Sequence, residues 1–222
     1  MKKSRIKKKK QNELFSSLSH LIGAGLAIAG LVLLVVFASL RGTVWHVVGF
    51  SIFGAAAILL YSTSAIYHFI CGTSKAKNIF QRLDHTMIYF FIAATYTPVC
   101  FILKNRGLGW SLFGIIWALA VLGIVLRSGG ITIKKWLPAV IYLAMGWMGA
   151  TAISSLLRFL PQEAVWWLLA GGTFYTIGAI FFALDNFIPR TRWVGMHEIF
   201  HIFVIAGSFS HFWFMFRYVM YA

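Results

Sequence analysis

The sequence predicts an all-α membrane protein, a bundle of seven transmembrane helices, on two observations. Of its 222 residues, 60% are hydrophobic and 11% are charged, whereas soluble domains carry about 25% charged residues. Apolar segments of the length that crosses a bilayer, about 17–25 residues, recur along nearly the whole chain. We place the spans at residues 14–40, 44–70, 84–103, 110–126, 137–157, 164–184 and 197–216. Residues 1–12 then form a basic tail, and residues 13–222 form one seven-span domain.

The distribution of basic residues predicts the orientation of this bundle. Seven of the first ten residues are Lys or Arg, and with the N-terminus inside, the cytoplasmic segments hold 15 of the 20 basic residues. Because Lys and Arg concentrate in cytoplasmic loops, we expect the N-terminus in the cytoplasm and the C-terminus outside. The net charge of +15 is thereby explained without nucleic acid, which we do not expect as a partner. We expect the tail to contact anionic lipid headgroups instead.

The pentapeptide HEIFH, residues 197–201, matches the H-E-x-x-H motif of zinc metalloproteases. In that motif the two histidines bind the metal and the glutamate is the general base. Such proteases usually take a third ligand from an acidic residue further along the chain. None of the 21 residues after His201 is acidic, so an intramembrane protease is disfavoured.

Ionisable side chains inside spans are costly, and they predict one site at one membrane depth. His68 lies near the inner end of the second span, Asp84 opens the third span, and His197 and His201 open the seventh. Ser64 lies one helical turn before His68 and shares its face. Three imidazoles, a carboxylate and a hydroxyl can surround one cation, and three histidines with a water form an open, catalytic zinc arrangement. Hydrogen-bonded interior side chains, rather than ligands, are expected at His20, His46, His85 and His211.

The segments around these residues resemble the bacterial hemolysin III family. They are S-A-I-Y-H (64–68), R-L-D-H-T-M-I-Y (82–89), A-T-Y-T-P (94–98), A-M-G-W-M (144–148), H-E-I-F-H (197–201) and F-V-I-A-G-S-F-S-H-F (203–212). That family is part of the superfamily of the progestin and adipoQ (adiponectin) receptors and is distantly similar to alkaline ceramidases. The resemblance extends from Glu13 to the C-terminus.

The resemblance implies a seven-helix bundle in the bacterial plasma membrane, with a zinc ion (Zn2+) near the cytoplasmic face. By the family's pattern, His68, His197 and His201 are the direct ligands. The same pattern implies that Asp84 holds a zinc-bound water and that Ser64 is a nearby polar contributor.

Two glutamates lie outside the ligand set that this pattern implies. Glu198 completes H-E-x-x-H, but family members vary at its position, so the resemblance does not imply a catalytic role. On a helix it lies about 100° from His197, which would let it reach solvent. Glu13 matches an acidic residue common in the family, and no role follows for it from the sequence.

Three functions are compatible with this sequence. The first is zinc-dependent hydrolysis of an amide or ester bond in a lipid, with ceramide-like lipids suggested by analogy and with Asp84 and Ser64 as the catalytic residues. The second is a non-enzymatic role in membrane-lipid or fluidity homeostasis, with a structural zinc between the second and seventh spans. The third is cytolysis, suggested by the family's name. Membrane lipids are the expected partners in each case, and the sequence indicates no protein partner.

Overall fold

The computed structural model describes residues 2–70, 72–129, 137–185, 187–188 and 195–222, with side chains from Asn12 onward. Its helices are α1 (Lys2–Arg41), α2 (Val44–Phe69), α3 (Lys75–Ile102), α4 (Arg106–Ser128), α5 (Leu137–Trp147), α6 (Ile153–Leu156), α7 (Gln162–Leu184) and α8 (Met196–Arg217). Short 3-10 helices cover Met148–Ala152 and Val219–Tyr221. Counting Leu137–Leu156 as one segment, seven helical segments within these described residues are long and apolar enough to cross a membrane. The predicted fold class is confirmed, and the protein is an integral, multi-pass membrane protein.

The helices form a closed ring in which the last helix returns to the first. Sequence neighbours pack together from α1 to α4, α5 contacts both α3 and α7, and α7 packs on α8. Contacts between α8 and α1 close the ring. In its most apolar window α3 is 67% buried and α1 22%, so α3 is enclosed by other helices to a greater extent than α1.

The surface of the bundle is apolar where a water-soluble protein would be polar. Large side chains such as Leu21, Ile22 and Leu26 of α1 are more than half exposed. A soluble monomer rarely exposes contiguous apolar surface of this kind. In a bilayer these side chains contact lipid acyl chains.

Helix α3 begins nine residues before the predicted start of the third span. The side chain of Ser74 accepts a hydrogen bond from the backbone N–H of Lys77 at 3.1 Å, which caps the helix at its N-terminus. Lys75 and Lys77 therefore lie in the first turn of α3, and Asp84 lies in its third turn. The helix extends beyond the predicted span start at Asp84, because hydropathy marks the apolar part of a helix, whereas capping marks its end. Four other basic residues of the predicted cytoplasmic loops, Lys134, Lys135, Arg190 and Arg192, lie outside the described residues.

The fifth span is interrupted, although the sequence predicts one continuous segment. Its α-helix ends at Trp147, and a 3-10 turn leads into α6. The hydroxyl of Tyr96 on α3 lies 2.8 Å from the carbonyl of Met145 and 2.5 Å from that of Gly146, either of which can accept its hydrogen, and it accepts from the N–H of Gly149 at 2.7 Å. A side chain that bonds to backbone groups at a break compensates for lost helical hydrogen bonds. The break is therefore fixed by α3.

Candidate metal centre

The candidate metal centre lies at the end of the bundle where α2 ends and α8 begins. His68 precedes the last residue of α2, while His197 and His201 lie in the first two turns of α8. A carboxylate oxygen of Asp185, just after α7, accepts the backbone N–H of His197 at 3.3 Å. An acceptor at a helix N-terminus satisfies a donor that has no partner within the helix. Asp185 thus fixes the first turn of α8, on which the two histidines depend.

The three predicted histidine ligands converge on one point. The Nε2 atoms of His197 and His68 are 3.3 Å apart, and those of His201 and His197 are 3.1 Å apart. One ligand atom from each histidine lies within 4.8 Å of the other two, so the three could hold a metal ion. His68 and His201 are buried, at 5% and 2% exposure.

The spacing of these nitrogens fits a small tetrahedral cation. Bonds of about 2.0–2.1 Å from zinc to imidazole would place two ligand nitrogens about 3.3–3.4 Å apart at tetrahedral angles. The observed separations of 3.1 and 3.3 Å are close to that value. The donor set is also suitable, because neutral imidazole is a common ligand of divalent transition metals. The residues present therefore fit a metal of the zinc type.

Glu13 orients one of the three imidazoles. Its Oε2 accepts a hydrogen bond from Nδ1 of His68 at 3.0 Å and lies 3.3 Å from Nζ of Lys77. The ammonium of Lys77 also donates to the carbonyl of Ile70 at 2.9 Å, beyond the end of α2. Because an ionised carboxylate only accepts hydrogen bonds, Nδ1 carries the proton and Nε2 presents its lone pair to the centre. Carboxylates in this position orient and strengthen metal-binding histidines.

Glu198 has a different role from Glu13. The sequence predicted that its side chain would reach solvent, and this prediction was wrong. It is 1% exposed. Its carboxylate accepts hydrogen bonds from Asn12 Nδ2 at 3.0 Å, Ser16 Oγ at 3.2 Å and the backbone N–H of Gly195 at 2.6 Å. It therefore fastens α1 to the N-terminus of α8. With its oxygens engaged in this way, the glutamate of H-E-x-x-H is not placed as a protease base.

Asp84 and Ser64 lie beside the centre. Asp84 interacts with the Ser64 hydroxyl and electrostatically with His68. It lies outside the group whose ligand atoms share the centre, which consists of the three histidines among the described residues. Nδ1 of His85 is 4.0 Å from the Asp84 carboxylate. This arrangement is compatible with the predicted water-mediated role of Asp84, which stays a prediction.

Comparison with known proteins decides the family. Residues 8–212 match the family described as Haemolysin-III related. The chain belongs to this family. It is 37% identical over 212 residues to Hemolysin-3 of Bacillus cereus, covering 95% of this chain and 93% of that protein. Identity to the Hemolysin-3 homolog of Bacillus subtilis (strain 168) is 36% over 202 residues, 91% of this chain and 92% of the relative.

A more distant relative extends the comparison beyond bacteria. The monocyte to macrophage differentiation factor of Homo sapiens is 26% identical over 179 residues, 79% of this chain and 72% of that protein. This similarity is consistent with the progestin and adipoQ receptor superfamily. The expected family and superfamily are both supported.

The four other histidines of this hemolysin III family member differ in their partners. His46 bonds through Nε2 to the carbonyl of Val219 at 3.0 Å, and His85 bonds to the carbonyl of Gln81 at 2.6 Å. Nε2 of His211 lies 3.3 Å from the carbonyl oxygen of Leu168. These three follow the expectation of hydrogen-bonded side chains, although His85 is a quarter exposed.

His20 departs from that expectation. It is 4% exposed, yet neither ring nitrogen makes a hydrogen bond with a described residue. Its ring stacks on that of His201, with centroids 3.7 Å apart. The sequence does contain a signal for this part of the site, since Glu13, Ser16 and His20 are spaced three and four apart and share a face of α1. All three meet α2 or α8.

Proposed function

We propose that this protein binds zinc through His68, His197 and His201 and hydrolyses an amide or ester bond in a membrane lipid. The convergence of three imidazole Nε2 atoms, with separations of 3.1 and 3.3 Å, is the observation that supports this most directly. Structural zinc sites usually have four protein ligands, and catalytic sites have three. When bound, zinc supplies Lewis acidity, which polarises a carbonyl group and lowers the pKa of water.

The residues around the centre have separate tasks in this proposal. Glu13 holds the His68 ring so that Nε2 faces the centre, as its 3.0 Å bond to Nδ1 indicates. The Asp84 carboxylate accepts a hydrogen bond from the attacking water and orients it, and Ser64 positions that carboxylate. Apolar helix faces around the site hold the acyl chain of the lipid. Ceramide-like lipids are the proposed substrates, by the kinship of the superfamily with ceramidases.

We also propose a location and an orientation. The protein would lie in the bacterial plasma membrane, with its N-terminus in the cytoplasm and its C-terminus outside. The metal centre is at the end of the bundle where α3 begins with Lys75 and Lys77. With basic residues on the cytoplasmic side, the centre would lie near the cytoplasmic leaflet.

Metal analysis of the purified protein tests the zinc site. One zinc per chain is expected in the parent protein and none in a His197→Ala/His201→Ala variant. His85→Gln is the matched control, because His85 lies near the centre but outside the three-histidine group. Equal zinc content in the parent and the double variant would contradict the site.

Turnover tests the reaction. Zinc-loaded protein in lipid nanodiscs would be incubated with labelled ceramides and labelled phospholipids, and released fatty acid would be measured. His68→Ala and Asp84→Ala should each abolish release. Hydrolysis that survives either substitution would exclude this mechanism, and no hydrolysis of either lipid class would exclude the proposed substrates.

A second function is favoured by the origin of the ligands on two separate helices. A metal bound by α2 and α8 would join them whether or not any reaction follows, which suits a non-enzymatic role in membrane-lipid or fluidity homeostasis. Zinc removal would then lower the melting temperature while no lipid is turned over. A deletion strain would show altered membrane fluidity, measured by fluorescence anisotropy, and His68→Ala would fail to restore it.

Cytolysis is kept as a third candidate because a relative of 37% identity carries the name Hemolysin-3. Dye release from liposomes on addition of purified protein would support a pore. If the parent and a His197→Ala/His201→Ala variant release dye equally, cytolysis does not depend on the metal centre.

A further inference from the structure

Several buried imidazole nitrogens beside the metal centre and further along α8 lack hydrogen-bond partners among the described residues. Among the described residues, six buried polar side-chain atoms lack a hydrogen-bond partner, and four of them are ring nitrogens of His20, His201 and His211. The backbone carbonyls of His201 and Ser16 lie near the first two rings, but not in hydrogen-bonding geometry. An unpaired buried polar group costs about 1–3 kcal/mol. Three of these nitrogens lie together on the stacked rings of His20 and His201, and the fourth lies further along α8 at His211, so a polar partner is missing at both places.

Between these histidines lies a hydrogen-bonded group of three hydroxyls. Tyr61 donates to Ser208 Oγ at 2.6 Å, and the hydroxyl of Tyr175 lies 3.0 Å from the same atom. Ser208 itself donates to the carbonyl of Val204 at 2.9 Å. Ser208 therefore accepts from both tyrosines, which uses its two lone pairs. Each tyrosine oxygen retains a lone pair that can accept from a further donor.

Ring contacts join the hydroxyls to the histidines at both ends. His20 meets the edge of Tyr61, with ring centroids 5.1 Å apart, and Tyr175 lies 5.4 Å from His211. We call the set His20, Tyr61, Ser208, Tyr175 and His211 the polar file. It follows α8 from His201 to His211, ten residues or about 15 Å of helix. It begins where His20 stacks on His201.

Glycines make room for the rings of the polar file. A Cβ atom at Gly23 would lie 2.8 Å from Cδ1 of Tyr61, and one at Gly207 would lie 2.6 Å from Cε1 of Tyr175. A Cβ atom at Gly171 would collide with the ring of His211. Each aromatic ring beyond His20 thus packs against a backbone that carries no side chain. The three glycines belong to three different helices, α1, α7 and α8.

We propose that the polar file binds a row of internal water molecules that leads from the bundle interior to the three-histidine centre. Water can donate and accept, so it can satisfy His20, His201 and His211 as well as the free lone pairs of the tyrosines. Buried waters typically make about three hydrogen bonds to such groups. An apolar ligand could satisfy none of them.

The role of this water rests on the proposed function. Hydrolysis consumes one water molecule in each turnover, and the acyl chain of a lipid substrate would occupy the apolar approach to the centre. Water held in the file beside His20 would be next to the centre and could react there without displacing the lipid. The presence of the water itself does not depend on any reaction.

Radiolytic hydroxyl labelling with mass spectrometry detects such water, because radicals formed from bound water oxidise the side chains that contact it. The zinc-loaded protein in nanodiscs would be irradiated in ordinary and in ¹⁸O-labelled water. Tyr61 is the reporter and Tyr89 the matched control, since both tyrosines are 2% exposed and lie in different clusters. We expect Tyr61 to be oxidised several-fold faster than Tyr89 and to incorporate ¹⁸O. Equal rates for the two tyrosines would overturn the proposal.

Substitution of His20 tests the file directly. His20→Phe keeps an aromatic ring against His201 but removes both nitrogens, so labelling of Tyr61 should fall while that of Tyr89 stays unchanged. His20→Leu serves if the phenylalanine variant does not fold, as judged by size exclusion. Unchanged labelling of Tyr61 in a folded variant would refute the role of His20.

A further readout separates this proposal from the proposed hydrolase activity. If the file supplies water, His20→Phe should lower kcat with little change in KM and with full zinc content. If Tyr61 of the parent protein is labelled but no lipid is hydrolysed, the water in the polar file is supported and the proposed hydrolase activity is refuted. If His20→Phe reduces the labelling of Tyr61 but leaves kcat unchanged, the polar file binds water but does not supply it to the reaction.

Discussion

Glu13 and Glu198 show how two carboxylates at one end of the bundle acquire separate tasks. Glu13 bonds to Nδ1 of His68 at 3.0 Å, on the side of the ring away from the centre. Glu198 bonds to Asn12, Ser16 and Gly195, on α1 and at the start of α8. The first therefore orients a histidine of the candidate metal centre, and the second holds two helices together.

Glu13→Gln should weaken metal binding about 10–100-fold, the range found when a carboxylate behind a metal-binding histidine is lost. The neutral amide no longer stabilises the protonated Nδ1 of His68 by charge. Zinc affinity would be measured by competition with a chromophoric chelator. Glu163→Gln is the control, since Glu163 is exposed in the first turn of α7. Equal affinities for the parent and Glu13→Gln would contradict the assigned role.

Glu198→Gln should lower the free energy of unfolding by about 1–3 kcal/mol, because charge-assisted hydrogen bonds to buried donors are lost. Zinc content should be unchanged. Denaturation monitored by circular dichroism, together with metal analysis, would check both. A protease-type base would give the opposite pattern, with full stability and abolished turnover.

At the scale of helices, close packing depends on which small residue faces a neighbour. Gly23 and Gly25 belong to the same glycine-rich stretch of α1 and are indistinguishable in the sequence pattern. A Cβ atom at Gly23 would lie 2.8 Å from Tyr61, whereas one at Gly25 would have no atom of a described residue within 4 Å. Gly23 is therefore required for the contact between α1 and α2, whereas a side chain at Gly25 would not meet a neighbouring described residue.

Gly23→Ala should destabilise the protein by about 1–3 kcal/mol, the usual effect of overpacking. Gly25→Ala should be neutral or slightly stabilising, since alanine favours a helix by up to about 1 kcal/mol over glycine. Thermal unfolding of the two variants in the same detergent would test the pair. Similar melting temperatures for both would show that α1 does not pack on Tyr61 as described.

At the scale of the molecule, the return of α8 to α1 assembles the site. The histidines at 68 and 197 are separated by 129 residues, and Ser16 and Glu198 by 182. Neither pair could meet unless the ring closed. The candidate metal centre therefore forms only in the complete bundle, and it lies at one end of it.

Reporter fusions test the orientation of the whole bundle. Fifteen of 20 basic residues belong to the predicted cytoplasmic segments, so the positive-inside rule predicts that the C-terminus is outside. Alkaline phosphatase fused after Ala222 should be active, and a green fluorescent protein at the same place should be dark. The reverse result would place the metal centre at the outer leaflet.

The sequence by itself determined the seven spans and the three histidines. Hydropathy gives the apolar length of each span, and counting residues along helices gives the depth of a side chain. His68, His197 and His201 could be grouped on depth alone. Ser64 and Asp84 were placed beside them by the same reasoning, and the structure brings both near the centre.

Only the tertiary structure decided how the helices are turned towards each other. Depth says nothing about the direction in which a side chain points around its helix relative to a distant neighbour. The bond between Glu13 and His68, the burial of Glu198 and the contact of His20 with His201 all depend on that rotation. The break in the fifth span likewise required Tyr96 from another helix. Local pattern fixes position along the membrane normal, whereas packing between distant segments fixes rotation about it.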